Sequence, residues 1–413
     1  MDFDDTPEEA AFRAEVRTWL GANARPRSDD ADFSRHYHTA VVDDDAEAAH
    51  VQRCKRWQGT LYQGGWAGIT WPKEYGGRGA SPMEAMIFNQ EQAAFDVSAG
   101  VFSVGIGMAG PTIVAHGTDA QKERWLDPLL RGEQIWCQLF SEPGAGSDLA
   151  GLATRAVRDG DEWVVNGQKV WTSGAHYSDL GILLARTDAD ARKHRGITFF
   201  VVDMTTPGID VRPLRQITGR AHFNEVFLTD VRVPADNLVG EVNGGWGVAL
   251  TTLANERALI GGGGGMAFDD LVRLARELDR ADDPMSRQGL VDAFIRFEVL
   301  KYLGYRVQTA ISQGRMPGPE SSVLKLAYSR HVARTGDLAL ALEGARGMLL
   351  EGAPHHGFWQ QQFLNQWGIR IGGGTDQVQR NVIGERVLGL PREPRPDKDV
   401  PFRELNRAVS SQA

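Results

Sequence analysis

Leu139-Phe140-Ser141-Glu142-Pro143-Gly144-Ala145-Gly146-Ser147-Asp148 and Gly167-Gln168-Lys169-Val170-Trp171-Thr172-Ser173-Gly174 are the two stretches that decide the fold of this 413-residue chain. The first reads as a glycine-rich loop carrying hydroxyls. The second reads as a strand that ends in a tryptophan beside small polar residues. Between them, residues 153–158 alternate in polarity, Asp159-Gly160-Asp161 turns the chain, and residues 162–165 return. Asn166-Gly167 then predicts a two-residue hairpin turn. A side-chain-poor loop next to an aromatic strand end is a platform for a flat, polar-edged ligand.

Outward from this centre, short strands are expected at 180–186, 197–202, 209–213 and 225–233. Such a set makes a small β-barrel or sandwich of about 100 residues. Both flanks read helical. Thr6-Pro7-Glu8-Glu9 gives an N-cap with proline in the first turn, followed by Phe12, Val16, Trp19 and Leu20 at helical spacing. Pro82 opens a further helix, and 121–130 closes the first helical part. Residues 25–45 are polar and acidic, a surface excursion. After Asn243-Gly244-Gly245, amphipathic stretches cover 246–260, 266–278, 287–313 and 321–342. The expected class is mainly α with a central β domain. The expected limits are 1–133 for a helical N-terminal domain, 134–241 for the β domain and 242–413 for a C-terminal helical bundle. Ligand sites favour such domain junctions.

The composition excludes several function classes. A formal net charge of −9 supplies no basic field for nucleic acid. No apolar run approaches the roughly 20 residues that span a bilayer, so no membrane insertion is expected. The acidic start, Met1-Asp2-Phe3-Asp4-Asp5, lacks the basic residues of a secretory signal. Two cysteines, Cys54 and Cys137, fit a reducing compartment, and the expected location is cytoplasmic. No His, Cys or carboxylate cluster has metal-site spacing.

The loop 141–148 and the segment 166–174 resemble the two middle-domain signatures of the acyl-CoA dehydrogenases. Phe223-Asn224-Glu225-Val226-Phe227-Leu228-Thr229-Asp230-Val231-Arg232-Val233-Pro234 is similar to the strand pair that closes that family's β domain. Gly374-Thr375-Asp376-Gln377-Val378-Gln379-Arg380-Asn381 resembles its C-terminal flavin motif. The four blocks stand in the family's order and cover nearly the whole chain. The resemblance implies FAD, a helical N-domain, a β-barrel middle domain and a C-terminal four-helix bundle. It also implies α,β-desaturation of an acyl-CoA, an electron-transfer flavoprotein as acceptor, and assembly as a homotetramer or as a heterotetramer with a homologue.

Desaturation removes a proton from Cα and a hydride from Cβ of the thioester, so a carboxylate base is needed. In many family members that base immediately precedes the C-terminal Gly-Thr. Here the position is Gly373, which can offer only its backbone N–H to the thioester carbonyl. A second group, which includes actinobacterial-type members, places the base on a C-domain helix before an arginine. Asn255-Glu256-Arg257 matches that pattern, so Glu256 is expected as base and Arg257 as a substrate contact. A solvated surface pair is the competing reading of Glu256 and Arg257. Trp171 is expected on the flavin ring and Ser173 at its polar edge, against a core aromatic as the alternative for Trp171. Leu139, Phe140, Ser141, Gly146 and Ser147 complete that cofactor contact, Ser147 also facing substrate. Thr375 and Gln377 are expected on FAD, with helix capping as the alternative for Thr375.

The five glycines 261–265 read either as a broken helix or as a wall at Gly263 cleared for a branched or bulky acyl group. The Arg-Phe pair and the Gln before the Gly-Gly-x-Gly loop, both usual in the family, are missing here; Ala341 stands at the Gln position. Two rival functions follow. One is a flavin oxidase or monooxygenase of the same fold. The other is a non-catalytic subunit paired with an active homologue.

Overall fold

In a computed structural model of the chain, residues 5–27, 44–261, 268–313, 318–319, 321–349, 352–392, 394 and 399–405 are described. The elements run helical, then β, then helical. The first helices are α1 (Pro7–Asn23), α2 (Asp44–Gln63), α3 (Pro82–Gln92), α4 (Gly110–His116) and α5 (Asp119–Leu130). Three of their starts are chemically explicit. Thr6, Ser81 and Thr118 each accept the N–H three residues on, and Glu9, Glu84 and Gln121 reach back to the cap N–H. The polar stretch expected at 25–45 lies largely outside the described residues.

Eight strands follow: β1 (Trp136–Leu139), β2 (Arg155–Asp159), β3 (Glu162–Ser173), β4 (Leu180–Arg186), β5 (Ile197–Asp203), β6 (Ile209–Leu214), β7 (Phe223–Pro234) and β8 (Leu238–Val239). They form one sheet in the order β6-β7-β3-β2-β4-β5-β8, with β1 parallel on β4. Its apolar core gathers Leu139, Val165, Leu183, Phe200, Val226 and Val231. The last helices are α6 (Gly245–Gly261), α7 (Phe268–Glu277), α8 (Pro284–Ser312), α9 (Ser321–Glu343), α10 (Phe358–Ile371) and α11 (Asp376–Val382).

The chain divides into two compact units. One comprises Met1–His50, Ala80–Ser98 and Arg257–Leu390. Within it, Leu271, Leu274, Leu290, Leu342 and Trp359 pack the C-terminal helices, and Arg13 and Arg17 of α1 both pair with Glu91 of α3. The other comprises Val51–Gly79, Ala99–Glu256 and Pro391–Ala413, and contains the sheet. There the C-terminal segment returns to the strands: Phe402 lies under the Arg186 guanidinium at 3.6 Å, and its N–H donates to the Ala191 carbonyl.

The Asn-Gly hairpin expectation is overturned. Asn166 and Gly167 lie within the continuous strand β3, and the β2–β3 turn is at Gly160, with φ +61°. Opposite Asn166, β7 carries an extra residue, because Val165 pairs Val231 while Gly167 pairs Leu228. The Asn166 amide closes this bulge, accepting from the Asp230 N–H and donating to its carboxylate. Asn-Gly here serves a bulge and a close contact instead of a turn. A Cβ on Gly167 would stand 2.3 Å from Thr154 Oγ1 and 2.7 Å from its Cα. Gly167→Ala is therefore expected to lose about 1–3 kcal/mol of stability, read as a lower urea midpoint at unchanged slope.

Candidate functional site

The quoted loop and strand are joined by a buried ion pair. Lys169 is fully buried in β3, and its ammonium donates to Glu142 Oε1 at 2.8 Å and to the Phe140 carbonyl at 3.0 Å. Glu142 also accepts the backbone N–H groups of Ala153 at 2.6 Å and Thr154 at 2.9 Å. Burial alone would raise the pKa of Glu142. The Lys169 charge and the two amides outweigh it and hold the carboxyl below its usual range. A last backbone bond, Val170 N–H to the Ser141 carbonyl at 2.9 Å, sets loop and strand side by side.

Beyond Lys169 the strand changes phase. Lys169 pairs Val226 and Thr172 pairs Asn224, so β3 carries one extra residue there. Trp171 occupies this bulge with φ +61°. As a result Lys169 and Thr172 are both buried while Trp171 and Ser173 face outward. Trp171 is 60% exposed, so the core-aromatic reading is excluded. Its ring meets Phe223 edge-on at 5.9 Å. In the adjoining loop, Cβ atoms built on Gly144 and Gly146 would meet nothing within 4 Å, and Ser147 is exposed. Leu139 and Phe140, in contrast, are buried, Phe140 edge-on to Phe199, so their side chains belong to the core. The structure thus brings Ser141, Trp171 and Ser173 to one strand end, with Leu139 and Phe140 beneath.

Glu256 lies on α6, partly exposed. One turn earlier, Thr252 is buried and shares a 2.9 Å hydrogen bond with Thr112 of α4, and Thr251 meets His116 Nε2 at 2.8 Å. These bonds fix the middle of α6 within the sheet-bearing unit. Arg257 continues the helix, but its side chain lies outside the described residues, as does Gly263.

Gly373, Thr375 and Gln377 belong to the other unit. Gly373 and Gly374 adopt φ +63° and +86°. Thr375 Oγ1 accepts the Val378 N–H at 3.1 Å, so the capping reading holds, and Gln377 is exposed. Asp376, buried at the start of α11, accepts from Ser329 Oγ at 2.6 Å and Arg370 Nε at 3.2 Å, with Lys325 Nζ at 3.6 Å. Burial works against its ionised form, but the Ser329 hydroxyl and Arg370 outweigh it and hold its pKa below the usual range.

Glu142, Lys169, Asp376 and Gln379 stand in the motifs, but their partners are not apparent from the sequence. For Lys169 the signal was available: a lysine flanked by apolar residues in a strand needs a buried partner. Ser329 and Lys325, four residues apart on one face of α9, gave no local sign of their partner.

Three family models match the chain: acyl-CoA dehydrogenase N-terminal domain at residues 6–133, middle domain at 137–231 and C-terminal domain at 243–388. The chain belongs to the acyl-CoA dehydrogenase family. Members of that family are flavoprotein oxidoreductases. Acyl-CoA dehydrogenase FadE34 of Mycobacterium tuberculosis is 44% identical over 349 residues, covering 84% of this chain. The chain spans about half of that relative's length, 48%. Acyl-CoA dehydrogenase IpdE1 of the same organism is 39% identical, covering 92% of this chain and 98% of its own. The solved Tcur3481-Tcur3483 steroid ACAD superposes with a TM-score of 0.80 at 30% identity, over 95% of this chain and 100% of that one. Among the described residues no helix is long and apolar enough to cross a membrane, and no His, Cys, Asp and Glu group could hold a metal.

Lys169→Met is expected to cost about 3–5 kcal/mol, because Glu142 is left charged and buried. The double variant Lys169→Met, Glu142→Gln should recover part of that loss. Chemical denaturation of the single and double variants checks the order.

Proposed function

We propose that the chain desaturates an acyl-CoA thioester between Cα and Cβ, with FAD as cofactor and Glu256 as the base. The observation that carries this reading is the outward Trp171 on a bulged strand end, beside a loop with open space at Gly144 and Gly146. A planar ring system fits such a surface: an indole for its face, hydroxyls of Ser141 and Ser173 for its edge, and no side chains on the neighbouring loop glycines. Leu139, Phe140 and Gly146 would contribute through backbone, and Ser147 through its hydroxyl, to cofactor or substrate. Thr375 at the cap of α11 and Gln377 in its first turn would contribute to the cofactor. FAD, when bound, supplies the acceptor for the Cβ hydride.

The chain's own residues must do the rest. Glu256 takes the Cα proton onto a carboxylate oxygen, and the electrons left at Cα flow toward the thioester carbonyl. The Gly373 N–H donates to that oxygen, where negative charge grows; Gly373, Gly374 and Thr375 donate their N–H groups to nothing among the described residues. Arg257 and Gly263 are assigned to substrate. A branched or ring-bearing acyl group is proposed from the likeness to the steroid ACAD and from the glycine run. An electron-transfer flavoprotein as acceptor, and a homotetramer or a heterotetramer with a homologue, complete the proposal. Its domain limits are 1–133, 134–241 and 242–413.

Purified chain is expected to carry a flavin spectrum that bleaches anaerobically with a bulky acyl-CoA. Glu256→Gln should keep the flavin and slow bleaching by about 100- to 10,000-fold, the contribution of a general base. Bleaching at the wild-type rate in that variant removes Glu256 from the mechanism.

A further inference from the structure

The loop before α11 is held by one side chain. Gln379, buried on α11, donates from Nε2 to the carbonyls of both Gly373, at 3.0 Å, and Gly374, at 3.3 Å. In a planar trans peptide the carbonyl and the following N–H point opposite ways. Fixing the Gly373 carbonyl therefore turns the Gly374 N–H away from Gln379, and fixing the Gly374 carbonyl does the same for the Thr375 N–H. Both glycines are at positive φ, and the Gly374 and Thr375 N–H groups are left on the side away from Gln379, open to an anionic oxygen. Clamp and loop are fitted closely, since a Cβ on Gly374 would lie 2.6 Å from Gln379 Nε2. The clamp itself is anchored: Asp376, three residues before Gln379 on α11, is held by Ser329 of α9 and Arg370 of α10.

We infer that Gln379 is a positioning residue for the reaction. It orients the Gly373–Thr375 peptides so that the Gly374 N–H joins that of Gly373 in holding the thioester oxygen. The inference rests on the oxyanion role proposed above for Gly373 and adds a second donor and the side chain that aims it. Among the described residues the Gln379 side chain hydrogen-bonds only to backbone carbonyls, and its Oε1 is buried without a partner there. An amide that uses only its donor end, on two consecutive carbonyls, is suited to setting peptide direction.

The test uses the full flavin-loaded chain and two independent variants. Gln379→Met keeps the length and removes the donor. Gly374→Ala keeps the glutamine in the sequence and pushes its amide off the carbonyls. A 2-enoyl-CoA labelled with 13C at the carbonyl is bound, and its carbonyl stretch is read by infrared difference spectroscopy. Wild type should move the stretch to lower frequency, and both variants should lose at least about half of that shift. Removing an oxyanion donor costs about 100- to 1,000-fold, so partial misdirection should lower kcat by about 10- to 100-fold with KM changed by less than about threefold. Flavin affinity should be unchanged. A full carbonyl shift with kcat within about twofold of wild type in whichever variant folds overturns the role of Gln379. So does a loss confined to flavin binding. If wild type itself shows no shift, the Gly373 reading fails and takes this inference with it; a shift in wild type retained in the variants sinks the Gln379 role alone.

Discussion

A charge buried in the sheet constrains everything around it. Lys169 has no solvent access, and an unpaired ammonium there would be too costly to keep. It is tolerated because Glu142 lies at 2.8 Å and because that carboxylate is met by two backbone amides. The pair therefore ties together segments distant in the chain: the start of the glycine loop at 140–142, the approach to β2 at 153–154, and the middle of β3. Once Lys169 must point inward, the strand beyond it is no longer free. Thr172 also points inward, three residues on, which an unbroken strand forbids because its side chains alternate. The extra residue resolves the conflict, and Trp171 is the residue turned out. The exposed indole is thus a consequence of where the lysine is buried.

The same logic of backbone direction recurs before α11. There no charge is buried at the loop itself. Two glycines at positive φ turn the chain, a glutamine side chain holds their carbonyls, and Asp376 is pinned by hydroxyl, guanidinium and ammonium groups from α9 and α10. The outcome is a short segment whose N–H groups have no partner among the described residues while its carbonyls are satisfied. Both positions are glycine at positive φ, and a Cβ at 374 would strike the clamp.

Much of the fold is legible in local chemistry. The capping boxes at Thr6, Ser81 and Thr118 need only residues three apart, and the helices begin where those residues stand. The strands at 180–186 and 197–203 declare themselves through mainly apolar runs. The misreading at Asn166-Gly167 has a physical cause. Asn-Gly signals a residue pair tolerant of tight backbone, and both a hairpin turn and a close strand crossing want that; only Asp230, 64 residues on, decides between them. The ion pair Lys169–Glu142 and the Asp376 network are of the same kind, since partners 27 and 47 residues apart leave no periodic mark. The outward turn of Trp171 was legible as a motif but not as geometry, because a bulge depends on the register of two strands at once.

The absence of a carboxylate at position 373 has a chemical logic on the proposed assignment. The step that removes the Cα proton pushes negative charge onto the thioester oxygen. An ionised side chain on the very residue whose N–H receives that charge places like charges close together until the proton is transferred. On that assignment the base stands at Glu256 on α6, and position 373 is left with the backbone task alone. That placement also frees position 373 to adopt φ +63°, which a glutamate would adopt only under strain. A glycine there lets the loop be shaped wholly for its N–H groups. The helix carrying Glu256 has independent anchorage through the Thr112–Thr252 and His116–Thr251 bonds.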